Sequence, residues 1–409
     1  MPNKLLFPLL VISTVFGQFS QQAKIVASDA AANDLFGYDG GLGVSGNYAI
    51  VGAYQNDDNG SSSGSAYIFL RSGSSWSQQA KLTASDGAAN DNFGISADIS
   101  GDYAVVGAVG EDSGVDNSGA VYVFIRSGSS WSQQAKLQPS TAVANASFGK
   151  TVAIDGDYVI VGAPDSDSKG AAYIFVRSGS SWSQQAKLVS SDLATSDSFG
   201  NDVSISGSYA AVGTPWDDDD GGGSGSAYIF VRSGTSWTQQ AKLKASDAAA
   251  GDGFGAGVSI DDNYLISGAY QENPNSVANG GSAYIFIRSG SSWSQQAKLV
   301  ASDVAAGDDG GRVVCMSRLV VNQAPSSSSI SKKTKSNKLR AASISLITGL
   351  FLFNLGYFSV SKSDANLDPW NLNIPNEFVF GLGSIFISLP MILFGGIFTL
   401  IYFIDRERH

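Results

Sequence analysis

Cysteine and histidine are almost missing from this 409-residue chain: Cys315 and His409 occur once each. One thiol cannot close an internal disulfide, nor can it assemble a Cys/His zinc site. With the only imidazole at the last residue, the body has no base for a Ser-His-Asp or Cys-His catalytic group. Charge is also scarce, at 15% of residues, and it is one-sided. Residues 1–315 hold 16 Lys+Arg against 31 Asp+Glu, whereas residues 316–409 hold 9 against 5. Phosphate binding relies on Lys and Arg, so the acidic body argues against nucleic acid as a partner. Helical periodicity is absent from the body as well.

Glycine, at 48 residues, is plentiful, and it comes with repetition. The segment Trp-Ser-Gln-Gln-Ala-Lys-Leu starts at Trp76, Trp131, Trp182 and Trp293. Trp237 heads a Thr variant, and residues 19–25 are a degenerate copy. A Phe-Gly pair follows every copy but the one at Trp293, at Phe36, Phe93, Phe148, Phe199 and Phe254, at intervals of fifty-odd residues. That period fits one small sheet per repeat. In residues 93–137 the punctuation marks four strands. Residues 94–100 alternate small and branched side chains, and Gly101-Asp102 is a turn. Residues 103–108 form a second strand, residues 119–126 a third and residues 131–137 a fourth. Four short antiparallel strands per unit, with Gly/Ser turns and a periodic aromatic, predict an all-β propeller. Five repeats are complete, and a sixth starts at residues 301–303. The array is either a five-bladed ring or a truncated six- or seven-bladed one. Residues 19–25 read as a spare fourth strand able to close it.

Each Phe-Gly is followed by a second signature: Val-Gly-Ala-Tyr at 51–54, Val-Gly-Ala-Val at 106–109, Val-Gly-Ala-Pro at 161–164, Val-Gly-Thr-Pro at 212–215 and Ser-Gly-Ala-Tyr at 267–270. With the Phe-Gly pairs, this resembles the FG-GAP repeat of integrin α chains, across residues 19–312. The resemblance implies a β-propeller acting as a recognition or adhesion module rather than an enzyme. Calcium-binding members carry an Asp-rich loop between the two signatures. Here three residues stand in that place, as at Asp155-Gly156-Asp157. Three residues cannot supply the roughly six to eight oxygens that calcium takes.

The residues expected to matter follow from this frame. Phe36, Phe93, Phe148, Phe199 and Phe254 are expected to plug the seams between blades, with Trp76, Trp131, Trp182, Trp237 and Trp293 packing the blades. Acidic loops follow each second strand, and Asp217, Asp218, Asp219 and Asp220 are the best place for a calcium ion, though no cofactor is required. Solvated Asx-rich turns are the simpler account of these loops. Pairs of Asp five residues apart (Asp29/Asp34, Asp86/Asp91, Asp192/Asp197, Asp247/Asp252, Asp303/Asp308) are read as loop caps. Specificity for a protein or glycan ligand is expected in the loops 55–64, 110–118, 165–170, 217–225 and 271–281, which differ most between repeats. Asn59 and Asn145 head Asn-x-Ser glycosylation acceptors.

The two ends are of other kinds. Residues 1–17 read as a signal peptide and residues 18–315 as the propeller. Residues 316–340 read as a basic Ser/Lys-rich linker, and 341–360 and 377–404, uncharged but for Glu377, as transmembrane helices around a polar loop at 361–376. Residues 405–409 close the chain as a polar tail. The expected location is a membrane, with the propeller extracellular or luminal. The basic cluster before residue 341 prefers the cytoplasm, and that conflicts with a secreted propeller. Two alternatives stay open: a structural scaffold without a ligand, and a truncated repeat array joined to an unrelated two-span membrane protein.

Overall fold

The computed structural model describes residues 22–38, 40–112, 114–312 and 314, and beyond them four short strands. The chain divides into two units, Met1–Ser317 and Arg318–His409.

The first unit holds five four-stranded antiparallel sheets in chain order. They are β1–β4 (Leu42–Ser45, Tyr48–Ala53, Ser65–Ser72, Ser75–Leu82), β5–β8 (Phe93–Ser100, Tyr103–Ala108, Ala120–Ser127, Ser130–Leu137) and β9–β12 (Thr151–Asp155, Tyr158–Ala163, Ala171–Ser178, Ser181–Leu188). The last two are β13–β16 (Val203–Ser206, Tyr209–Thr214, Ser226–Ser233, Ser236–Leu243) and β17–β20 (Phe254–Asp261, Tyr264–Ala269, Ser282–Ser289, Ser292–Leu299). The second and third strands of the first four sheets are largely buried, so both faces of the sheet need cover. Each sheet finds it on the next one, which makes a propeller-like repeat array.

The seam between the first two sheets shows the recurring construction. Ile50 and Ile68 of the first sheet pack with Phe93, Ala97, Ile99 and Val106 of the second. Phe93 has no exposed surface and meets the rings of Tyr122 and Phe124 edge-on, at 5.4 and 6.0 Å. Phe148, Phe199 and Phe254 are equally buried at the following seams, while Phe36 of the first sheet is half-buried. The backbones themselves also touch. A Cβ added at Gly107 would lie 2.0 Å from the carbonyl oxygen of Gly149 in the next sheet. The two glycines of the repeated signatures therefore face each other across the seam, where only hydrogen fits.

The repeated Gln-Gln pair has a structural cause. In every sheet the pairing of the third and fourth strands slips by one residue, at Val123/Phe124 in the second. The slip leaves Gln134 as an extra residue, a β-bulge that re-aims its side chain. Its Oε1 accepts the indole N–H of Trp182 in the next sheet at 3.0 Å. Gln79, Gln185 and Gln240 do the same for Trp131, Trp237 and Trp293. The first Gln turns the other way: Gln133 Oε1 accepts the backbone N–H of Ser85 in the connection that enters its own sheet.

Strand ends carry a further inter-sheet contact. The Asp98 carboxylate on β5 accepts the backbone N–H of Ile154 in the next sheet, at 2.9 Å, and that of Ile99. The chain packed around it pushes its pKa up to about 6, against those two N–H groups.

In the second unit β21 (Ser336–Leu339) pairs with β22 (Phe358–Ser361), and β23 (Ile387–Leu393) with β24 (Gly396–Tyr402). Helices were expected over 341–360 and 377–404. Most of the first of these, and part of the second, lie outside the described residues. Where residues are described they are strands, in keeping with the β-branched and aromatic content of 387–402. No helix among the described residues is long and apolar enough to cross a membrane. Residues 1–17 and most of 316–340 also lie outside the description.

Two outcomes follow. Gly107→Ala should lower stability by about 1–3 kcal/mol, read by chemical denaturation. Gly222→Ala, where a Cβ meets nothing within 4 Å, should leave it nearly unchanged. The contribution of Asp98 is complete while it is protonated, below its ordinary 3.8, and is lost as the pH rises through about 6. Its share of the melting temperature should fall across that window, and Asp98→Asn should flatten the decline. An unaltered slope in the variant would contradict the assignment.

Candidate functional site

A pocket of about 410 Å³ lies where the ends of the inner strands of four sheets converge. Its lining repeats three positions of the unit. Tyr54, Val109 and Pro164 follow the Gly-Ala pair. Asn92, Ser147 and Ser198 precede the buried Phe. Ile95, Lys150 and Asn201 stand two residues after it. Asp165 completes the wall.

The three residues before the Phe hold left-handed backbone, with φ of 56° at Asn92, 55° at Ser147 and 58° at Ser198. Non-glycine residues adopt this at a cost of roughly 1–2 kcal/mol each. The surroundings hold them there. Phe93 N–H donates to the Ser63 carbonyl at 3.1 Å, which docks the following residue on the neighbouring sheet. Ser147 Oγ donates to Asp165 Oδ2 at 2.6 Å, and Asn92 Nδ2 to the Asn90 carbonyl at 2.8 Å. Asn201 Nδ2 reaches across a seam to the Ala256 carbonyl at 3.0 Å. The wall thus carries carboxamides, hydroxyls, a phenol and one charge of each sign, Lys150 and Asp165, around an apolar floor of Ile95, Val109 and Pro164. Such a surface offers shape and hydrogen-bonding groups to a ligand.

The acidic loops have another role. Lys242 of β16 lies 2.7 Å from Asp217, 2.8 Å from Asp219 and 3.0 Å from Asp192, and Lys244 lies 2.8 Å from Asp220. Asp218 Oδ1 accepts the backbone N–H of Gly223 at 2.8 Å. The ammonium of Lys242 thus stands among the carboxylates that a calcium ion would need. Burial works against its charge, but Asp217, Asp219 and Asp192 together hold its pKa above the ordinary lysine value. Its Nζ also lies 5.2 Å from the centroid of the Tyr228 ring. The other sheets repeat the scheme. Lys136 bridges Asp86 and Glu111 at 2.7 and 2.6 Å, and Lys298 bridges Asp247 and Glu272 at 2.7 and 2.9 Å. Among the described residues no group of three or more His, Cys, Asp or Glu side chains is arranged to hold a metal ion.

The Asp pairs divide their work. The second member caps its loop: Asp91 Oδ2 accepts the N–H of Ala88 at 2.8 Å, and Asp34, Asp197, Asp252 and Asp308 do the same three residues back. In the first four pairs the first member, Asp29, Asp86, Asp192 or Asp247, is an ion-pair partner of the lysine, a role that the sequence reading missed. The signal was available, since the Lys of the Trp-headed motif recurs in step with that Asp. The third repeat has no Asp pair, and there Lys187 pairs with Asp167 at 2.6 Å.

The tryptophans are half-buried, and those of the second to fifth sheets pack on the preceding sheet, Trp131 edge-on to Tyr48 at 6.3 Å and Trp182 to Tyr103 at 6.1 Å. Asn59 and Asn145 are both exposed, on loops. The expected specificity loops contribute only Asp165 to the pocket. The rest of the wall comes from the residue just before each loop and from those flanking Phe-Gly. Variation within the repeat could have found these: the position two after the Phe reads Tyr38, Ile95, Lys150, Asn201 and Ala256.

A family model described as FG-GAP repeat matches residues 19–69, 76–124, 131–175, 182–230 and 237–286, more than half of the chain. No curated protein matches. Because lysines occupy the acidic loops, millimolar calcium should leave the melting temperature of the chain unmoved. A rise of several degrees would show a structural ion instead.

Proposed function

Because the chain belongs to the FG-GAP repeat family, we propose that it is a non-enzymatic recognition module whose ligand, a protein or a glycan, enters the pocket lined by Tyr54, Lys150 and Asn201. FG-GAP repeats generally serve ligand binding or adhesion-like roles. The observation that carries the reading is a contrast within the repeat. Residues that join the sheets recur nearly unchanged, whereas residues lining the pocket differ from one repeat to the next. Structural residues need only fit a sibling sheet. A wall on which Ile95, Lys150 and Asn201 hold equivalent positions presents an asymmetric surface, as selective binding requires. The absence of histidine before residue 409 and of cysteine before residue 315 supports a role without catalysis.

Attachment to a membrane through residues 341–360 and 377–404 belongs to the same proposal, supported by the absence of charge from 341–360 and from 378–404. The apolar run in residues 1–17 supports an extracellular or luminal array. Protease protection of the array in sealed vesicles tests both, and digestion from the cytoplasmic side counts against them.

Screening the full chain on protein and glycan arrays tests the recognition role. Tyr54→Ala and Lys150→Gln should each weaken any captured ligand by about tenfold, near 1.4 kcal/mol, without lowering the melting temperature. Binding that ignores both substitutions would place the site elsewhere.

A further inference from the structure

Trp216 is the one tryptophan of the first unit outside the Trp-headed motif, and it is 41% exposed. A second loop of the same fold shows what it adds. Residues 55–64 of the first sheet and 216–225 of the fourth follow the second strand at equal length. Asp58 bridges Gly60 as Asp219 bridges Gly221, and Gly64 N–H donates to the Asn56 carbonyl as Gly225 N–H does to that of Asp217. Asp57 Oδ1 accepts the N–H of Ser62 at 2.8 Å, as Asp218 Oδ1 accepts that of Gly223 at 2.8 Å. The connection to the next sheet docks alike: Asn90 and Asn92 donate their N–H to the carbonyls of Ser61 and Ser62, and Gly251 and Gly253 to those of Gly222 and Gly223. Gln55 stands where the second loop has Trp216. The loop therefore takes its fold without an indole.

Four further positions change with it. Ser61, Ser62, Asn90 and Asn92 of the first loop and its connection are replaced by Gly222, Gly223, Gly251 and Gly253. Two of these glycines are required by rings: a Cβ at Gly223 would lie 3.1 Å from Trp216 Cε3, and one at Gly253 would lie 2.7 Å from Cε1 of Tyr270. The other two are not. A Cβ at Gly222 or Gly251 meets nothing within 4 Å, and Asn90, at a φ of 69°, shows that a side chain is accepted at the position of Gly251. Side chains are thus missing where the fold tolerates them. What remains is a bare backbone ledge edged by Trp216 and Tyr270, none of whose residues lines the pocket.

The chemistry around the ring narrows the occupant. The nearby carboxylates are engaged, Asp217 and Asp219 by Lys242, Asp220 by Lys244 and Asp218 by the Gly223 N–H, so none is left to hold a cation. Residues 1–315 carry 31 Asp+Glu against 16 Lys+Arg, a field that repels a polyanion. Among the described residues the Trp216 indole N–H and the Gly222 backbone N–H donate to no protein group. An aromatic surface with donors at its edge matches an uncharged sugar ring, which carries C–H bonds on its face and hydroxyls at its rim. The rigid indole loses little rotamer freedom on contact. A ledge stripped of side chains gives the neighbouring rings of a sugar chain room to lie along it.

We propose that Trp216, with the ledge of Gly222, Gly223 and Gly251, binds a neutral oligosaccharide, one ring of which stacks on the indole. This site goes beyond the recognition role assigned to the pocket and does not require the pocket to be filled.

The probes are neutral oligosaccharides built of glucose, mannose, galactose or N-acetylglucosamine, with a heparin fragment of the same length as the charged control. Titrated calorimetrically into the full chain, at least one neutral sugar should bind saturably and the heparin fragment should not. Trp216→Gln, which installs the residue of the first loop, should weaken binding by about tenfold or more with the melting temperature unchanged. Trp216→Phe should recover part of that loss. Gly251→Asn, again the choice of the first sheet's connection, should weaken binding by refilling the ledge. Tyr54→Ala and Lys150→Gln should leave it intact, so the two sites fail separately. The proposal falls if no neutral sugar binds at millimolar concentration, if binding survives Trp216→Gln, or if Tyr54→Ala costs as much. Heparin binding as tight as that of the neutral sugars overturns it as well. A protein ligand lost with Trp216→Gln, with no sugar bound, would make the ledge a protein site and overturn it too.

Discussion

The whole first unit depends on one constraint: a sheet of four short strands has two apolar faces, and only another such sheet can cover them. The cover is tight because glycine meets glycine across the seam, Gly107 against Gly149 and Gly162 against Gly200. That approach lets Phe148 and Phe199 close the seams with no surface left in water. Burying a side chain of this kind is worth about 1.5–3 kcal/mol, so each seam gathers several such contributions from a handful of residues. Stability is then a property of neighbours, and one seam cannot be loosened without exposing two sheets.

The same constraint explains why the Trp-headed motif is copied so faithfully. Its Trp donates to the preceding sheet, its second Gln accepts from the following one, its first Gln holds the incoming connection and its Lys gathers the acidic loops. Each side chain serves a different neighbour, so no position is free to drift. Variation is left to the strand ends, where side chains from several sheets meet without packing through a seam. The pocket occupies that position. Its strained residues at 92, 147 and 198 are held by the connections on either side, so the framework stabilises the backbone that the pocket requires.

Most of the acidic excess is structural. Carboxylates that looked like metal ligands sit against Lys242, Lys136 and Lys298, whose ammonium groups also lie near the faces of Tyr228, Tyr122 and Tyr284. A charged loop is held on an apolar sheet by one long side chain whose stem packs and whose head pairs. The loops can therefore be rich in Asp without repelling one another.

Strand number, turn positions, repeat boundaries and the importance of the Phe residues were all legible in the residues, because period-two alternation and Gly punctuation are local consequences of chain geometry. The cap formed by Asp91 was legible for the same reason: donor and acceptor lie three residues apart. What required tertiary structure lies between repeats. The reach of Trp182 to Gln134 and the ion pair of Asp86 with Lys136 join residues about fifty positions apart, and no local pattern reports such distances. The pocket was half visible, as variable positions, but which of them share a wall depended on how four sheets converge. Composition and spacing determined what each unit is, since a strand is set by its immediate neighbours. Only the packed array decided what the units do to one another, because side-chain direction across a seam is settled by the sheet on the other side.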